Sequence, residues 1–496
     1  MFRTAEVGHK IEKEKYDEEV PKLREALLEA QFDVSEAKKF PVIILIGGVD
    51  GSGKGEIINL LNSWMDPRHL RAYALGEPND EERSRPPMYR FWHRLPPKGK
   101  MGLFIGGWYD RVLFEDWNGK SDKAQLEVDG ILDRATEFEQ MLVEEGALIL
   151  KFWLHLSKDE QAKRFKKLEK NPDTAWRVTK DDWKRHKQYD EYRKNIEYMI
   201  RKTSTGHAPW TIVEATDPRY RNLTIGKRIL ESLRHRLEQQ ASRPHMPTPP
   251  VIPSLDNKLL LQTLDFTQKL ERDEYKKLLD KYQALLNRLT HDPRFNKKAV
   301  VLVFEGSDAA GKGGNIRRIT AALDARQYRV IPIAAPTEEE RAQPWLWRFW
   351  RHIPRQSQVT IFDRSWYGRV LVERVEGFCS EADWNRAYSE INNFEQQLAA
   401  KDFIVVKFWI SITKEEQLRR FEERQQTGFK RYKITDEDWR NRDKWDAYEV
   451  AVNDMIERTS TNLAPWHLVE GNDKYFARIK VLKLITEAIE KNFRQD

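Results

Sequence analysis

Two carboxylates, a lysine and several arginines in the second half of the chain are spaced for phosphoryl chemistry. Gly306-x-x-x-x-Gly311-Lys312 has the spacing of a loop that turns successive backbone N–H groups and a helix N-terminus toward phosphate oxygens. Lys312 adds a full positive charge. The loop follows a β-branched apolar run and precedes a helical stretch, which is the context such a loop needs. Two departures from the ordinary nucleotide-binding loop carry information. The Ser or Thr that normally follows the lysine and holds magnesium is Gly313, and a carboxylate, Asp308, sits inside the loop. An acid beside a bound phosphate chain repels it unless a metal ion intervenes or the acid activates an incoming acceptor.

The second carboxylate ends an apolar run, Thr360-Ile-Phe-Asp363-Arg364-Ser365-Trp366-Tyr367. A strand-end Asp in an open sheet faces the ligand crevice, and a phosphate-loop enzyme holds its magnesium from that position. Asp363 is therefore the expected metal ligand, joined by Asp308 where the loop acid meets phosphate through a metal ion and not by activating the acceptor. Arg364 and Arg369 are expected to neutralise charge on a migrating phosphoryl group, because the planar guanidinium binds phosphate oxygens bidentately. Further along, Arg419, Arg420, Arg424, Lys430, Arg431 and Lys433 cluster within one helix and its following loop. Such a segment can fold over the crevice, bind a polyanion and exclude water. Trp439, Trp445 and Tyr448 are read as packing this lid rather than stacking a base.

The elements that must position these groups occur twice. Val42–Gly55 recurs as Val300–Gly313, with Lys54 and Lys312 258 residues apart, and Arg90-Phe-Trp92 matches Arg348-Phe-Trp350 at the same offset. Lys151-Phe-Trp153 matches Lys407-Phe-Trp409, Thr203-Ser-Thr205 matches Thr459-Ser-Thr461, and Ala208-Pro-Trp210 matches Ala464-Pro-Trp466, all at 256. Repetition at this scale means two copies of one domain. The Pro-rich stretch 242–255 reads as a semi-rigid linker between a domain at 1–241 and another at 256–496. In each copy a charged amphipathic helix (10–32, 257–290) precedes the strand that feeds the loop (42–46, 300–304). Further strands are expected at 101–105, 148–154 and 211–215, and at 359–362, 404–410 and 466–470, with helices such as 129–145 and 386–400 between them. Alternating strands and helices predict an α/β fold with a doubly wound parallel sheet in each copy and a helical lid at 158–203 and 414–459.

The copies differ where chemistry is concerned. Asp50 and Lys54 repeat Asp308 and Lys312, but the counterparts of Asp363, Arg364 and Ser365 are Ile105, Gly106 and Gly107, and that of Arg424 is Leu168. The first copy keeps its strands and loop and loses the acid and arginines. It is expected to turn over little or nothing.

Composition narrows the class. With 40% hydrophobic residues and 17 Trp the chain is too apolar for disorder, and its negative mean hydropathy with no long apolar run argues against a membrane partner. One cysteine, Cys379, cannot form an internal disulfide, and nothing in the opening residues has the apolar core of a secretory signal, so a cytoplasmic location is expected. The net charge of +7 arises from 86 basic and 79 acidic residues, too small an excess to imply nucleic acid. Phosphoryl transfer from ATP to a nucleoside monophosphate fits these residues as well as any other donor does.

The motifs at 306–314, 362–367 and 459–466, with the Lys-Phe-Trp strand and the basic lid, together resemble the type-2 polyphosphate kinase family over nearly the whole chain. The tandem arrangement resembles the fused subgroup that phosphorylates AMP to ADP with inorganic polyphosphate; acceptance of ADP or GDP is the alternative within the family. The resemblance implies that Asp308, Lys312, Asp363 and Arg364 form the catalytic group with Mg²⁺. It makes Arg420, Arg424 and Lys433 lid cations, and adds Arg369 and Glu373 to the substrate site beside the loop glycines Gly306, Gly311 and Gly313. Fusion of two like domains suggests an intramolecular pseudo-dimer and leaves room for a homodimer.

Overall fold

The computed structural model describes residues 1–109, 112, 122–239, 260–427, 434 and 436–494. The linker at 242–255 and the lid residues Lys430, Arg431 and Lys433 lie outside the described residues. The chain divides into two compact units. One comprises Met1–Pro78, Arg90–Arg243 and Pro336–Trp347, and the other Asn79–Tyr89, Pro244–Ala335 and Arg348–Asp496.

Each unit is built on a five-stranded parallel sheet. The first contains β1 (Val42–Gly48), β2 (Leu70–Ala74), β3 (Met101–Ile105), β4 (Leu148–His155) and β5 (Trp210–Glu214) in the order β2-β3-β1-β4-β5. The second contains β6 (Ala299–Gly306), β7 (Tyr328–Pro332), β8 (Val359–Asp363), β9 (Phe403–Ser411) and β10 (Trp466–Glu470) in the equivalent order β7-β8-β6-β9-β10. The central strands are predominantly apolar because both faces are covered by helices. Val300 to Phe304 and Phe403 to Ser411 are buried at every position. The edge strands β2 and β7 were not foreseen from sequence. Their exposed positions, Arg71 and Arg329 among them, break the apolar run by which a buried strand is recognised.

Helix Arg272–His291 packs along Lys474–Phe493, and Lys13–Ala37 along Pro218–Glu238, so a helix pair covers one face of each sheet. The expected helix at 257–290 begins later, after a 3₁₀ turn at Leu260–Thr263. The described residues within 158–203 and 414–459 are mainly helical as read: Lys158–Glu169, Lys180–Lys187 and Tyr189–Thr203 in the first copy, Lys414–Gln426, Asp436–Asp443 and Trp445–Thr459 in the second. No helix among the described residues is long and apolar enough to cross a membrane.

Candidate active site

The register of β6 against β8 sets the site. Phe304 lies opposite Asp363, so the phosphate loop leaves β6 just beyond the strand end that carries the second acid. Gly306 sits at φ 150°, and a Cβ there would lie 2.3 Å from the Ile410 carbonyl oxygen on the neighbouring β9, so only glycine lets the loop leave the sheet at this point. Gly311 caps the helix Lys312–Thr320, whose first residue is the loop lysine. Gly313 meets nothing within 4 Å of a built Cβ, which leaves the helix N-terminus open.

Lys312 Nζ curls back onto the loop and donates to the carbonyls of Gly306 (2.6 Å) and Ser307 (3.3 Å). Burial pushes its pKa below the usual ammonium value, while Asp308, Asp363 and Glu305 nearby oppose that shift. Asp308 accepts from Arg364 Nη2 at 3.2 Å and from Asn441 Nδ2, on the lid, at 2.8 Å. Gln417 Nε2 donates to the Asp308 backbone carbonyl at 3.2 Å and fixes the loop from above. Asp363 ends β8 with its carbonyl accepting from Ile333 N (3.0 Å) and its side chain half-buried. The structure thus brings Asp308, Lys312, Asp363 and Arg364 together as the sequence spacing predicts.

Arg364 occupies the left-handed region at φ 64°, which costs an ordinary L-residue about 1–2 kcal/mol. Its counterpart Gly106 has φ 76°. The turn after the strand is therefore a property of the fold, and glycine makes it without strain; the second copy retains the strain and with it a guanidinium at the crevice.

Sequence reasoning missed Glu305. It lies in the apolar run of β6, is 5% exposed, and accepts a 2.8 Å hydrogen bond from Ser365 Oγ. Burial raises its pKa, and Lys312 and Arg364 oppose the shift. The signal available was the copy comparison: a charged residue stands in a buried strand where the first copy has Gly47.

The lid cations separate into different roles. Arg420 Nε pairs with Glu416 at 2.6 Å, and its terminal nitrogens donate to the carbonyls of Ala309, Ala310, Gly471 and Asn472. It ties the phosphate loop to the end of β10 instead of presenting a free fork to a substrate. Arg424 is half-buried, its pKa lowered by burial, within electrostatic reach of Asp438 and Asp308. Arg369 and Glu373 pair at 2.9 Å one helical turn apart. Trp439 packs edge-on to Phe421 as expected of lid packing, but Trp445 and Tyr448 line the crevice, because the helix Trp445–Thr459 turns that face toward the loop.

The lining of the crevice is mixed. Glu305, Gly306, Ser307, Asp308, Arg364, Glu437 and Asn441 contribute polar groups, and Leu261, Leu371, Val372, Trp445, Tyr448 and Val452 contribute apolar or aromatic surface. Phosphate groups suit the polar groups at the loop, and a flat heteroaromatic ring suits the aromatic and aliphatic side chains. Among the described residues no three His, Cys, Asp or Glu side chains form a ready metal cage. Asp308 and Asp363, both placed to act electrostatically on Lys312, still fit a magnesium ion, which is commonly held by one or two carboxylates with substrate phosphates and water completing the shell.

The first copy fills the same ground with its own side chains. Asp50 accepts from Arg185 at 2.6 Å, where the second copy has Asn441 on Asp308. Phe2, fully buried, stacks on His155 at 4.4 Å, and His155 Nε2 pairs with Glu6 at 2.8 Å. Arg193 reaches Glu6 at 3.5 Å. His155, Tyr189, Arg193 and Ile196 stand where Ser411, Trp445, Glu449 and Val452 line the second copy's crevice.

What both copies keep is a buried polar knot. Lys407 Nζ donates to Glu395 (2.7 Å), Tyr367 Oη (2.8 Å) and the Thr459 carbonyl (2.7 Å); Lys151 does the same with Glu139 (2.6 Å), Tyr109 (3.2 Å) and Thr203 (2.8 Å). Trp366 and Trp108 each donate to the carboxylate of the knot.

Known proteins resemble this chain over its whole length. Two full-length relatives are called polyphosphate:AMP phosphotransferase, one from Pseudomonas aeruginosa, 56% identical with all of both chains covered, the other from Pseudomonas syringae pv. tomato, 50% identical over 100% of this chain and 99% of that one. A crystal structure described as a polyphosphate kinase 2 from Pseudomonas aeruginosa superposes with a TM-score of 0.90 at 53% identity, covering 100% of both chains. The sequence profile of the polyphosphate kinase 2 family matches residues 10–241 and again 269–496. The chain belongs to the polyphosphate kinase 2 family.

Proposed function

We propose that this chain transfers the terminal phosphoryl group of inorganic polyphosphate to AMP, giving ADP, and that the second copy does the chemistry. The observation that carries the reading is the convergence of Asp308, Lys312, Asp363 and Arg364, of which Asp308 and Arg364 line a crevice that apolar and aromatic side chains also line. The names of the full-length relatives support the donor and acceptor.

An oxygen of the AMP phosphate attacks the terminal phosphorus in line; the bridging P–O bond breaks and its electron pair leaves with the shortened polyphosphate. Such a loose transition state is stabilised by position and charge more than by covalent chemistry. Lys312 swings from the loop carbonyls to the phosphate oxygens, and the loop N–H groups with the helix N-terminus hold the donor. Arg364 spans the migrating group and Asp308 sets the orientation of the acceptor. Arg424 steadies the chain under the lid. Asp308 and Asp363 would hold Mg²⁺, which supplies positive charge that offsets repulsion between donor, acceptor and carboxylates. Asp50 and Lys54 in the first copy serve at most as a weak phosphate contact.

Incubation of the purified chain with Mg²⁺, AMP and either polyphosphate or ATP, followed by nucleotide chromatography, tests the reading. ADP formed with polyphosphate alone as donor is the expected result. Formation only from ATP points instead to an ATP-dependent nucleoside monophosphate kinase, and formation from neither overturns the proposal.

A further inference from the structure

Arg364, at the crevice, has its backbone held in a strained conformation, and its neighbourhood explains how the strain is sustained. Its amide donates to the Phe304 carbonyl at 3.0 Å, which ties the residue to β6 through the backbone. The side chain is 42% exposed, and its guanidinium meets Asp308 at 3.2 Å and Glu437 at 3.6 Å. Neither contact fixes the turn. The next residue does: Ser365 is 2% exposed, its Oγ accepts from Tyr367 N at 3.3 Å and its hydroxyl proton goes to Glu305 Oε1 at 2.8 Å. Glu305 itself is buried and projects from the strand beside β8, one residue past the Phe304–Asp363 pair.

We propose that Glu305 is a positioning residue for phosphoryl transfer, which through Ser365 clamps the turn that aims Arg364 into the crevice. The first copy supplies independent support. The counterparts of Glu305, Asp363, Arg364 and Ser365 are Gly47, Ile105, Gly106 and Gly107, so the clamp and the groups it serves are lost together. The tryptophan opposite this position is common to both copies, Trp409 beside Glu305 and Trp153 beside Gly47, and in the first copy its ring lies so close that a Cβ on Gly47 would be 2.8 Å from it. A residue needed for folding would have been kept in both copies, as the buried lysine knot is.

The hydrogen bond needs an acceptor at this position and not a negative charge, which gives the inference a sharp test; it rests on the phosphotransfer reading above. Glu305→Gln is expected to keep kcat within about fivefold of the parent, whereas Glu305→Ala and Ser365→Ala each lower kcat by about thirtyfold or more, with KM for AMP changed less than about threefold. The Glu305→Ala/Ser365→Ala double variant should be no worse than either single one, because both remove the same bond. Glu305→Gln as damaged as Glu305→Ala would show that the carboxylate acts by its charge, on a metal or the substrate, and would overturn the clamp. Additive losses, or an Ala variant as active as the parent, would overturn it too. Calorimetric titration with tripolyphosphate and Mg²⁺ needs no turnover and separates the two readings. Weakened binding in both Ala variants but not in the Gln variant supports the clamp even if the parent fails to phosphorylate AMP, a failure that would sink only the phosphotransfer reading. Melting temperatures within a few degrees of the parent identify variants whose loss is not unfolding, and Ser365→Ala keeps the test open if Glu305→Ala fails to fold.

Discussion

The two copies share a sheet order, a loop, and a buried lysine bonded to a glutamate, a tyrosine and a carbonyl, yet they spend their remaining charges in opposite ways. In the second copy, Asp308 is met by a strained arginine and a neutral lid amide, Asn441, and the crevice beside it is lined but unfilled by protein. In the first, Asp50 is neutralised by Arg185, and Phe2 and His155 are stacked in the corresponding place. Scaffold and chemistry are thus separable within one sequence: interior polar groups that stabilise the fold persist in both copies, while the strand-end acid and the strained arginine persist in only one.

The largest expected effect breaks this comparison most directly. Lys312→Ala should lower AMP phosphorylation by at least about 10³-fold, since one preorganised charge is lost from a dry site, and Lys54→Ala should change turnover by less than about threefold. Equal damage from both at saturating substrates would make the first copy catalytic. Next, Lys407→Met and Lys151→Met should each destabilise the protein by about 3 kcal/mol or more, because each leaves a buried carboxylate without its partner. Denaturant unfolding should show similar losses, and a harmless Lys151→Met would mean that the first scaffold has relaxed as well. Arg364→Gly installs the first copy's residue: activity should fall about 10²-fold while removal of left-handed strain raises the melting temperature by a few degrees, a gain of about 1 kcal/mol. A fall in both would show that the arginine serves the fold. The smallest effect is expected of Arg424→Leu, a severalfold weakening of polyphosphate use with a flatter response to ionic strength. An unchanged salt response would remove Arg424 from the substrate's field.

The central strands were legible because burial on both faces leaves a continuous apolar run, as in Val42–Ile46 and Val300–Phe304. The loop, Asp363 and Arg364 were legible because phosphate chemistry restricts residue types at fixed spacing. The edge strands β2 and β7 were not, since one-sided exposure admits Arg71 and Arg329. Nor was the role of Arg420: its neighbours in the lid carry the same charge, and only geometry shows that its donors are spent on loop carbonyls. Glu305 was hidden by its apolar neighbours, although Gly47 at the matching position marked it. Lys151-Phe-Trp and Lys407-Phe-Trp served as landmarks of the repeat, while the reason for the lysine lay in residues 12 and 52 positions away, beyond any local pattern.

Trp153 makes the difference between the copies a matter of mutual fit. Its counterpart Trp409 lies opposite Glu305 in the register of β6 and β9, whereas the Trp153 indole lies against Gly47, so a glutamate enters that strand position of the first copy only with a shift of a ring in a fully buried core. Arginine at 106 would regain the turn without its brace, and Asp50 would still be neutralised by Arg185. Rebuilding a second active site in this chain therefore calls for concerted replacement of Gly47, Ile105, Gly106 and Gly107 with Trp153 repacked, because each group leans on the next.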